Sequence, residues 1–378
     1  MKIRILFVID NLQFGGGERV FSQIINGLDP YKYHIFLASL PDGHFYKSIT
    51  NNQVKYLPLD FLKRVNPRLI LQLKKIIKRK DIQIVHGQGT RAEFYARVAT
   101  RLAGKAKYVS TIAMPVEGFD VGILRKKIYR LFDRFSERYV DRFIVVSDAL
   151  KDMMINKRGI FPEKVVRIYN GIEIDRYSSD NVKASRLKVR EEFKINENDF
   201  LIGAIGRLVW QKGFECLIRA IPSIIKSYPN SKLLIVGDGP LKDRLKEQGK
   251  RLRVKEYLIF TGFRDNIKEI LSAIDILVIP SLLEGFPMIT LEAMAMAKPI
   301  IATNIEGIKE QLIDSESGLL IPPGDEHAVS QAFVKIVEDK MLSGKLGSNA
   351  RKRVVEEFSV QRMINETEKV YIPLIQIR

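Results

Sequence analysis

The 378-residue chain is poor in the residues that build covalent or metal frameworks, with one cysteine, one tryptophan and four histidines. A single cysteine excludes an internal disulfide framework and any zinc site made of several thiolates, and it fits a reducing setting. No apolar run approaches the ~20 residues needed to span a bilayer. The opening MKIRILFVIDNLQFGGGERV has a short apolar stretch followed by polar Asp10, Asn11 and Gln13, with no small-residue cleavage site. It reads as a first buried strand rather than a signal peptide. Short repeats and low-complexity tracts are lacking, as is a convincing Asp-x-Asp or His-rich cation site.

What is present fits two or three globular domains at ~100–200 residues each. The hydrophobic share of 46% and charged share of 28% place the chain among soluble globular proteins and not among disordered ones. The net charge of +18 is uneven: residues 1–180 carry 32 Lys and Arg against 18 Asp and Glu, a net +14, and the remainder only +4. A basic half beside a balanced half implies an anionic partner for the first: nucleic acid, a membrane surface or a phosphorylated substrate.

Short Val/Ile/Leu runs alternate with amphipathic stretches. Ile3–Ile9, Ile35–Ala38, Ile82–Val85, Tyr108–Ile112 and Phe143–Val146 form one series; Leu201–Ile205, Leu233–Val236, Leu258–Phe260, Ile274–Ile279 and Pro299–Ala302 form another. Continuous runs imply strands buried on both faces, and their alternation with helices implies parallel sheets. The expectation is an α/β protein of two doubly wound, Rossmann-like domains facing across a cleft. Tyr177–Asp199, polar and without apolar periodicity, reads as the linker. Ligands of such sheets bind beyond the carboxyl ends of the strands.

Three loops at such ends carry candidate chemistry. Asp10 to Glu18, containing Gly15, Gly16 and Gly17, follows the first strand and opens a helix, so backbone N–H groups and the helix N-terminus can meet an anion. Its spacing is not the dinucleotide G-x-G-x-x-G, and the chain lacks the G-x-x-x-x-G-K-[ST] phosphate loop. Gly206 to Gly213 holds Arg207 and Lys212, a planar fork and a point charge that can reach one pyrophosphate or else be solvated surface cations. Glu284 to Glu292 holds two carboxylates: an acid/base pair, ligands for sugar hydroxyls, or simply a surface glutamate and a helix N-terminal acid.

Together these loops resemble a family. The G-G-G-E loop, G-R-L-x-x-x-K-G, the Ile235–Pro240 turn I-V-G-D-G-P, the T-G-F of Thr261–Phe263 and E-G-F-P-x-x-x-x-E look like the retaining nucleotide-sugar glycosyltransferases of family four. Val166–Ile172 and Gly318–Asp325 extend the resemblance over nearly the whole chain. It implies the two-Rossmann-domain "B" architecture, with an acceptor-binding domain of residues 1–180 plus 360–378, the last helix crossing back, and a nucleotide-sugar-binding domain of residues 181–359. It implies that Arg207 and Lys212 hold the donor diphosphate, that Glu292 binds ribose hydroxyls and that Glu284 contacts the transferred sugar. Backbone groups around Phe286, Pro287 and Met288 would take sugar hydroxyls or phosphate, and Gly16 and Gly17 would face the diphosphate from the other domain. Neither metal nor cofactor is expected, and retention would come from front-face attack by the acceptor hydroxyl.

One position departs from the pattern. Many members carry a histidine where Ala113 or Met114 stands here. Glu117 or His86 are candidates to serve the acceptor side, His86 being equally readable as a structural histidine. His34, His44 and His327 read as structural or surface residues, and Cys216 as a buried thiol.

Two basic stripes remain. Lys63, Arg64, Arg68, Lys74, Lys75, Lys78, Arg79 and Lys80 form one; Arg125, Lys126, Lys127, Arg130, Arg134, Arg138 and Arg142, interleaved with Leu124, Ile128, Tyr129, Leu131, Phe132 and Phe135, form the other. The second suits an anionic membrane surface, or packs its apolar face on its own sheet. The expected enzyme is a cytoplasmic hexosyltransferase, peripheral on the inner face of the cell membrane. It would move sugar from a UDP- or GDP-sugar to a glycan or lipid-linked acceptor in surface polysaccharide or lipopolysaccharide synthesis. The alternatives are an epimerase of the same architecture, which this histidine-poor chain equips badly, and a nucleic-acid binder, for which no recognition motif is present.

Overall fold

The computed structural model describes residues 2–10, 15–41, 43–61, 66–114, 131–177 and 181–376. The chain divides into two compact units, Met1–Gly171 with Val360–Arg378, and Ile172–Ser359.

Unit 1 is built on strands β1 (Ile3–Ile9), β2 (Tyr33–Ser39), β3 (Lys55–Pro58), β4 (Ile84–Gln88), β5 (Lys107–Ile112), β6 (Arg142–Val145) and β7 (Val165–Arg167). They form one seven-stranded sheet in the order β3-β2-β1-β4-β5-β6-β7, every neighbouring pair parallel. β1 is central, and Ile5 to Ile9 have no solvent exposure, because helices cover both faces of such a sheet. On the helix Arg68–Arg79, Leu69, Leu73 and Ile77 recur at four-residue spacing and are buried. Lys75, Lys78, Arg79 and Lys80 are exposed, so the first basic stripe is a solvated helix face; Lys63 and Arg64 lie outside the described residues. The helix Val360–Gln376 packs in this unit, its Ile364 against Gly27 of the helix Gly16–Gly27 and its Tyr371 hydroxyl against His86.

Unit 2 repeats the plan with β8 (Phe200–Ile205), β9 (Ser231–Val236), β10 (Leu258–Gly262), β11 (Ile276–Ile279), β12 (Ile300–Thr303) and β13 (Leu319–Ile321), in the order β10-β9-β8-β11-β12-β13, again all parallel. The helix Phe214–Ser227 buries Leu217, Ile218, Ile221 and Ile224 in the same core as the strand residues Ile202, Leu233 and Ile276. Cys216 is buried on it.

The linker expectation is corrected here. Residues 182–192 form the helix Val182–Glu192, which belongs to unit 2. Arg186 and Arg190 each donate to the Asp275 carboxylate at 2.7 Å, and Arg190 also bonds the Asn196, Asp199 and Ala273 carbonyls. A helix anchored through guanidinium groups shows little apolar periodicity, which is why its sequence resembles a linker.

In each unit the chain winds outward from the central strand and then returns to pair on its other side. Loops leaving the carboxyl ends of β1 and β4, or of β8 and β11, diverge to opposite faces and open a crevice at that switch point.

Candidate functional site

In unit 2 the switch point joins two of the predicted loops. β8 runs through Gly206 and Arg207 into a single turn, Trp210–Lys212, and β11 runs through Pro280 and Ser281 to Glu284. The loops are stapled at the backbone, with Leu282 N donating to Gln211 O at 2.7 Å. Gly213 has φ of 64°, and a Cβ there would lie 1.9 Å from the Pro280 carbonyl oxygen. Only glycine permits both that conformation and that approach.

The staple brings Lys212 onto Glu284. Lys212 Nζ donates to Glu284 Oε1 at 2.6 Å, and Ser281 Oγ donates to the same oxygen at 2.7 Å. Thr303 Oγ1, at the end of β12, donates to the Ser281 carbonyl at 2.5 Å and fixes that loop from behind. The Glu284 side chain is 4% exposed and Lys212 22%. Lys212, Ser281 and Glu284 line a small recess with Ile205, Phe214 and Ile289. Arg207, on the same β8 loop, is exposed and pairs with no carboxylate among the described residues.

The loop after Glu284 passes into the helix Met288–Ala295, with Pro287 as its N-cap and no side chain capping its first N–H groups. Such a helix start leaves donors for an anion or hydroxyl. Phe286 and Met288 are buried, and the Phe286 ring stacks edge-on against Phe358 at 5.4 Å, so their side chains serve the core. The Pro287 carbonyl accepts from Gln311 Nε2 at 3.0 Å. Glu292, 3% exposed, accepts from the Tyr177 hydroxyl at 3.0 Å. Tyr177, Ser281 and Thr303 were not singled out from sequence. Ser281 lies two residues past the end of β11, among the loop residues at the carboxyl end of the strand; Tyr177 comes from a remote segment and carries no local signal.

In unit 1, Gly16 and Gly17 begin the helix Gly16–Gly27, and Gly15 N is capped by Glu18 Oε2 at 2.9 Å. A Cβ on Gly17 would lie 2.9 Å from the Gln88 amide nitrogen and 3.8 Å from Ala113, so the loops after β1, β4 and β5 converge there. Asp10, just past β1, pairs with Arg91 at 2.7 Å; burial raises its pKa against the opposing pull of that guanidinium. His86 is not open to an acceptor. It is fully buried, Nδ1 lies 2.6 Å from the Tyr371 hydroxyl and Nε2 2.7 Å from Thr111 Oγ1, and Phe7 and Phe21 flank its ring. Burial drives its pKa down to about 3, so it is neutral. The acceptor-side expectation for His86 gives way to a core histidine. Glu117, the other candidate, lies outside the described residues, as do Arg125, Lys126, Lys127 and Arg130. Among the described residues no group of three or more His, Cys, Asp and Glu side chains could hold a metal ion, and no helix is long and apolar enough to cross a membrane.

This geometry can be set beside known proteins. The model described as Glycosyltransferase Family 4 matches residues 14–176, and that described as Glycosyl transferases group 1 matches residues 185–353. The chain is 28% identical over 313 residues, 81% of its length and 79% of the relative's, to the UDP-Gal:alpha-D-GlcNAc-diphosphoundecaprenol alpha-1,3-galactosyltransferase of Escherichia coli. It is 28% identical over 292 residues, 71% and 74% of the two chains, to the capsular polysaccharide biosynthesis glycosyltransferase CapM of Staphylococcus aureus. Among solved structures, Anabaena HepE in complex with UDP-glucose matches with a TM-score of 0.84 over 98% of this chain and 100% of that one, at 22% identity. WaaG, a glycosyltransferase involved in lipopolysaccharide biosynthesis, matches at 0.77 over 97% and 99%, at 19% identity. With both halves matched in order on a fold of two parallel Rossmann-like sheets, the chain belongs to the family-four glycosyltransferases of the two-Rossmann-domain B architecture.

Proposed function

We propose that the chain transfers a hexose, with retention and without a metal, from a UDP- or GDP-sugar to a hydroxyl of a glycan or lipid-linked acceptor in surface polysaccharide or lipopolysaccharide synthesis, working at the inner face of the cell membrane. The carrying observation is the Lys212–Glu284 pair at the switch point of unit 2, with the exposed Arg207 on the same loop after β8 as Lys212. A diphosphate entering there meets two cations and, at Met288–Ala295, an uncapped helix start. The exposed rings of Trp210 and Phe263, beyond β8 and β10, offer faces to a base or sugar.

The chemistry follows from charge. As the bond from the anomeric carbon to phosphate breaks, its electron pair goes to the phosphate oxygen. Lys212 and Arg207 stabilise that developing charge most when it is largest. Lys212 is then shared between phosphate and Glu284, whose carboxylate is freed to take a sugar hydroxyl. Tyr177 sets the rotamer of Glu292 for the ribose hydroxyls. The acceptor oxygen bonds the anomeric carbon from the same face, and its proton passes to the departing phosphate.

The test offers UDP-galactose, UDP-glucose and GDP-mannose with N-acetylglucosaminyl-diphosphoundecaprenol and follows the anomeric proton of the product by NMR. An α-linked product from an α-donor is expected. An inverted product refutes retention, and an epimerised donor formed without acceptor refutes transfer as the activity.

A further inference from the structure

The switch point of unit 1 holds a buried polar atom that the fold itself does not use. Gln88 ends β4 and stands opposite Ile9, the last residue of β1. It is 6% exposed, and its Oε1 has no hydrogen-bond partner among the described residues. An acceptor oxygen left bare in the interior has lost its water without compensation, and each such group calls for a reason. Its position supplies one. Gln88 stands where the loops after β1 and β4 part, the place where sheets of this kind take ligands. Its amide reaches toward Gly17, where a Cβ would lie 2.9 Å from Nε2, so glycine keeps room for the amide.

The charge on the same loop selects the ligand. Arg91 donates from Nε to Asp10 Oδ2 at 2.7 Å, and the Ala92 backbone also bonds the Asp10 carboxylate. Asp10 thus offsets the guanidinium and occupies the start of the helix Thr90–Ala103, whose N-cap, Gly89, has no side chain to offer. An anion arriving here meets a cation already paired, a helix start already filled and a bare amide oxygen. A hydroxyl meets an acceptor in Gln88 Oε1. It also meets donors in the Arg91 Nη groups, which bond no other described residue.

We propose that Gln88 is a specificity-determining residue of the acceptor side, its Oε1 accepting one hydroxyl of the sugar that receives the transferred group. This rests on the glycan-acceptor reading above and narrows it: unit 1 selects its acceptor through a sugar hydroxyl and not through a phosphate. A turn of the side-chain amide presents Oε1, and the new bond compensates an oxygen that had none. A sugar without that hydroxyl leaves the oxygen bare again, which is how one amide separates closely similar sugars. The donor's sugar carries hydroxyls too, and the experiment separates the two sources.

The UDP-loaded full chain is titrated with the methyl glycosides of N-acetylglucosamine, galactose and glucose, with their singly deoxygenated analogues, and with inorganic pyrophosphate, affinity being read by saturation-transfer NMR. At least one glycoside should bind, and one of its deoxy analogues should bind about tenfold more weakly. Q88L should bind the parent glycoside about tenfold more weakly and no longer distinguish it from that analogue. Its UDP affinity and melting temperature should hold. Q88E above neutral pH still accepts from a hydroxyl but repels an anion, so it should keep the glycoside within about threefold of wild type. Full discrimination in Q88L overturns the proposal, as does a wild type that binds none of the glycosides. Pyrophosphate that competes with the glycoside and is lost in Q88E overturns it as well. In turnover, Q88L should raise the acceptor's Michaelis constant about tenfold and leave the donor's unchanged; the reverse assigns the hydroxyl to the donor and overturns the acceptor assignment. The titrations need no turnover, so an unaltered Q88L sinks this inference alone, while transfer by the wild type is judged from its own product.

Discussion

Unit 1 and unit 2 repeat one strand order around a central first strand, and both leave a switch point at the carboxyl ends, yet they place their buried charges differently. In unit 1 the densest group, Arg97 with Glu93, Asp133, Arg158 and Glu137, tethers one helical segment to another. In unit 2 the pair Lys212–Glu284 sits on the switch-point loops and lines a recess. Under the proposed function the same bond type is structural where every partner is internal and serves chemistry where one partner is a cation that an incoming anion can also engage. Position relative to the strand ends, and not burial alone, separates the two roles.

The largest effect expected on this comparison is in unit 1. Arg97→Met leaves Glu93 and Asp133 buried without their shared cation and should lower the unfolding free energy by about 3–5 kcal/mol in urea titrations. A loss under ~1 kcal/mol would mean that the network is replaceable packing.

In unit 2 the corresponding change should be read in turnover. Glu284→Ala should reduce kcat/KM by about 10²–10³-fold, the size seen when one preorganised polar contact to the reacting group is lost. Its melting temperature should hold, because Lys212, 22% exposed, can turn to water. Lys212→Ala should instead cost stability, about 1–3 kcal/mol, since it leaves a carboxylate only 4% exposed with Ser281 alone. Equal turnover in Glu284→Ala and wild type would return the pair to a structural role.

These contrasts mark what the sequence can express. β1 is legible as Ile3–Ile9 because a continuous apolar run has one reading in a parallel sheet. β3 and β7, four and three residues long and at the sheet's two edges, carry too little pattern to separate from loop. That the loops of Lys212 and Glu284 lie at the carboxyl ends of strands is legible, because each follows a continuous apolar run. Glu292's partner Tyr177 is not, since their contact spans 115 residues. For residues 131–137 the periodicity shows two faces but not which is inside; Arg97 and Arg158, distant in sequence, decide that.

A pH titration sharpens the unit 1 side. Burial raises Glu93 to about 7 from 4.5, so its protonated form favours the fold: that contribution is full below pH 4.5 and is lost as pH rises toward 7. Burial lowers His86 from 6.5 to about 3, so its contribution is present above pH 6.5 and is lost as pH falls toward 3. Between about pH 4.5 and 6.5 the two oppose and the wild-type curve should be nearly flat. Glu93→Gln removes the falling term and exposes the rising one, so its unfolding free energy should climb by about 2–3 kcal/mol across that window. A flat variant curve would assign the titration elsewhere.

The smallest effect tests whether Tyr177 serves the fold or the site. Tyr177→Phe deletes one hydroxyl donated to Glu292 and keeps the ring, which is 5% exposed. As structure alone, the loss is about 1 kcal/mol of stability with kinetics unchanged. As positioning, Glu292 gains rotamer freedom, and the Michaelis constant for the nucleotide sugar should rise about three- to tenfold while kcat and the acceptor constant stay put. A 2′-deoxyribose donor separates the cases. If Glu292 holds the ribose hydroxyls through the orientation Tyr177 gives it, the variant should discriminate less than wild type between donor and deoxy donor. Unchanged discrimination would leave Tyr177 as a packing residue of unit 2.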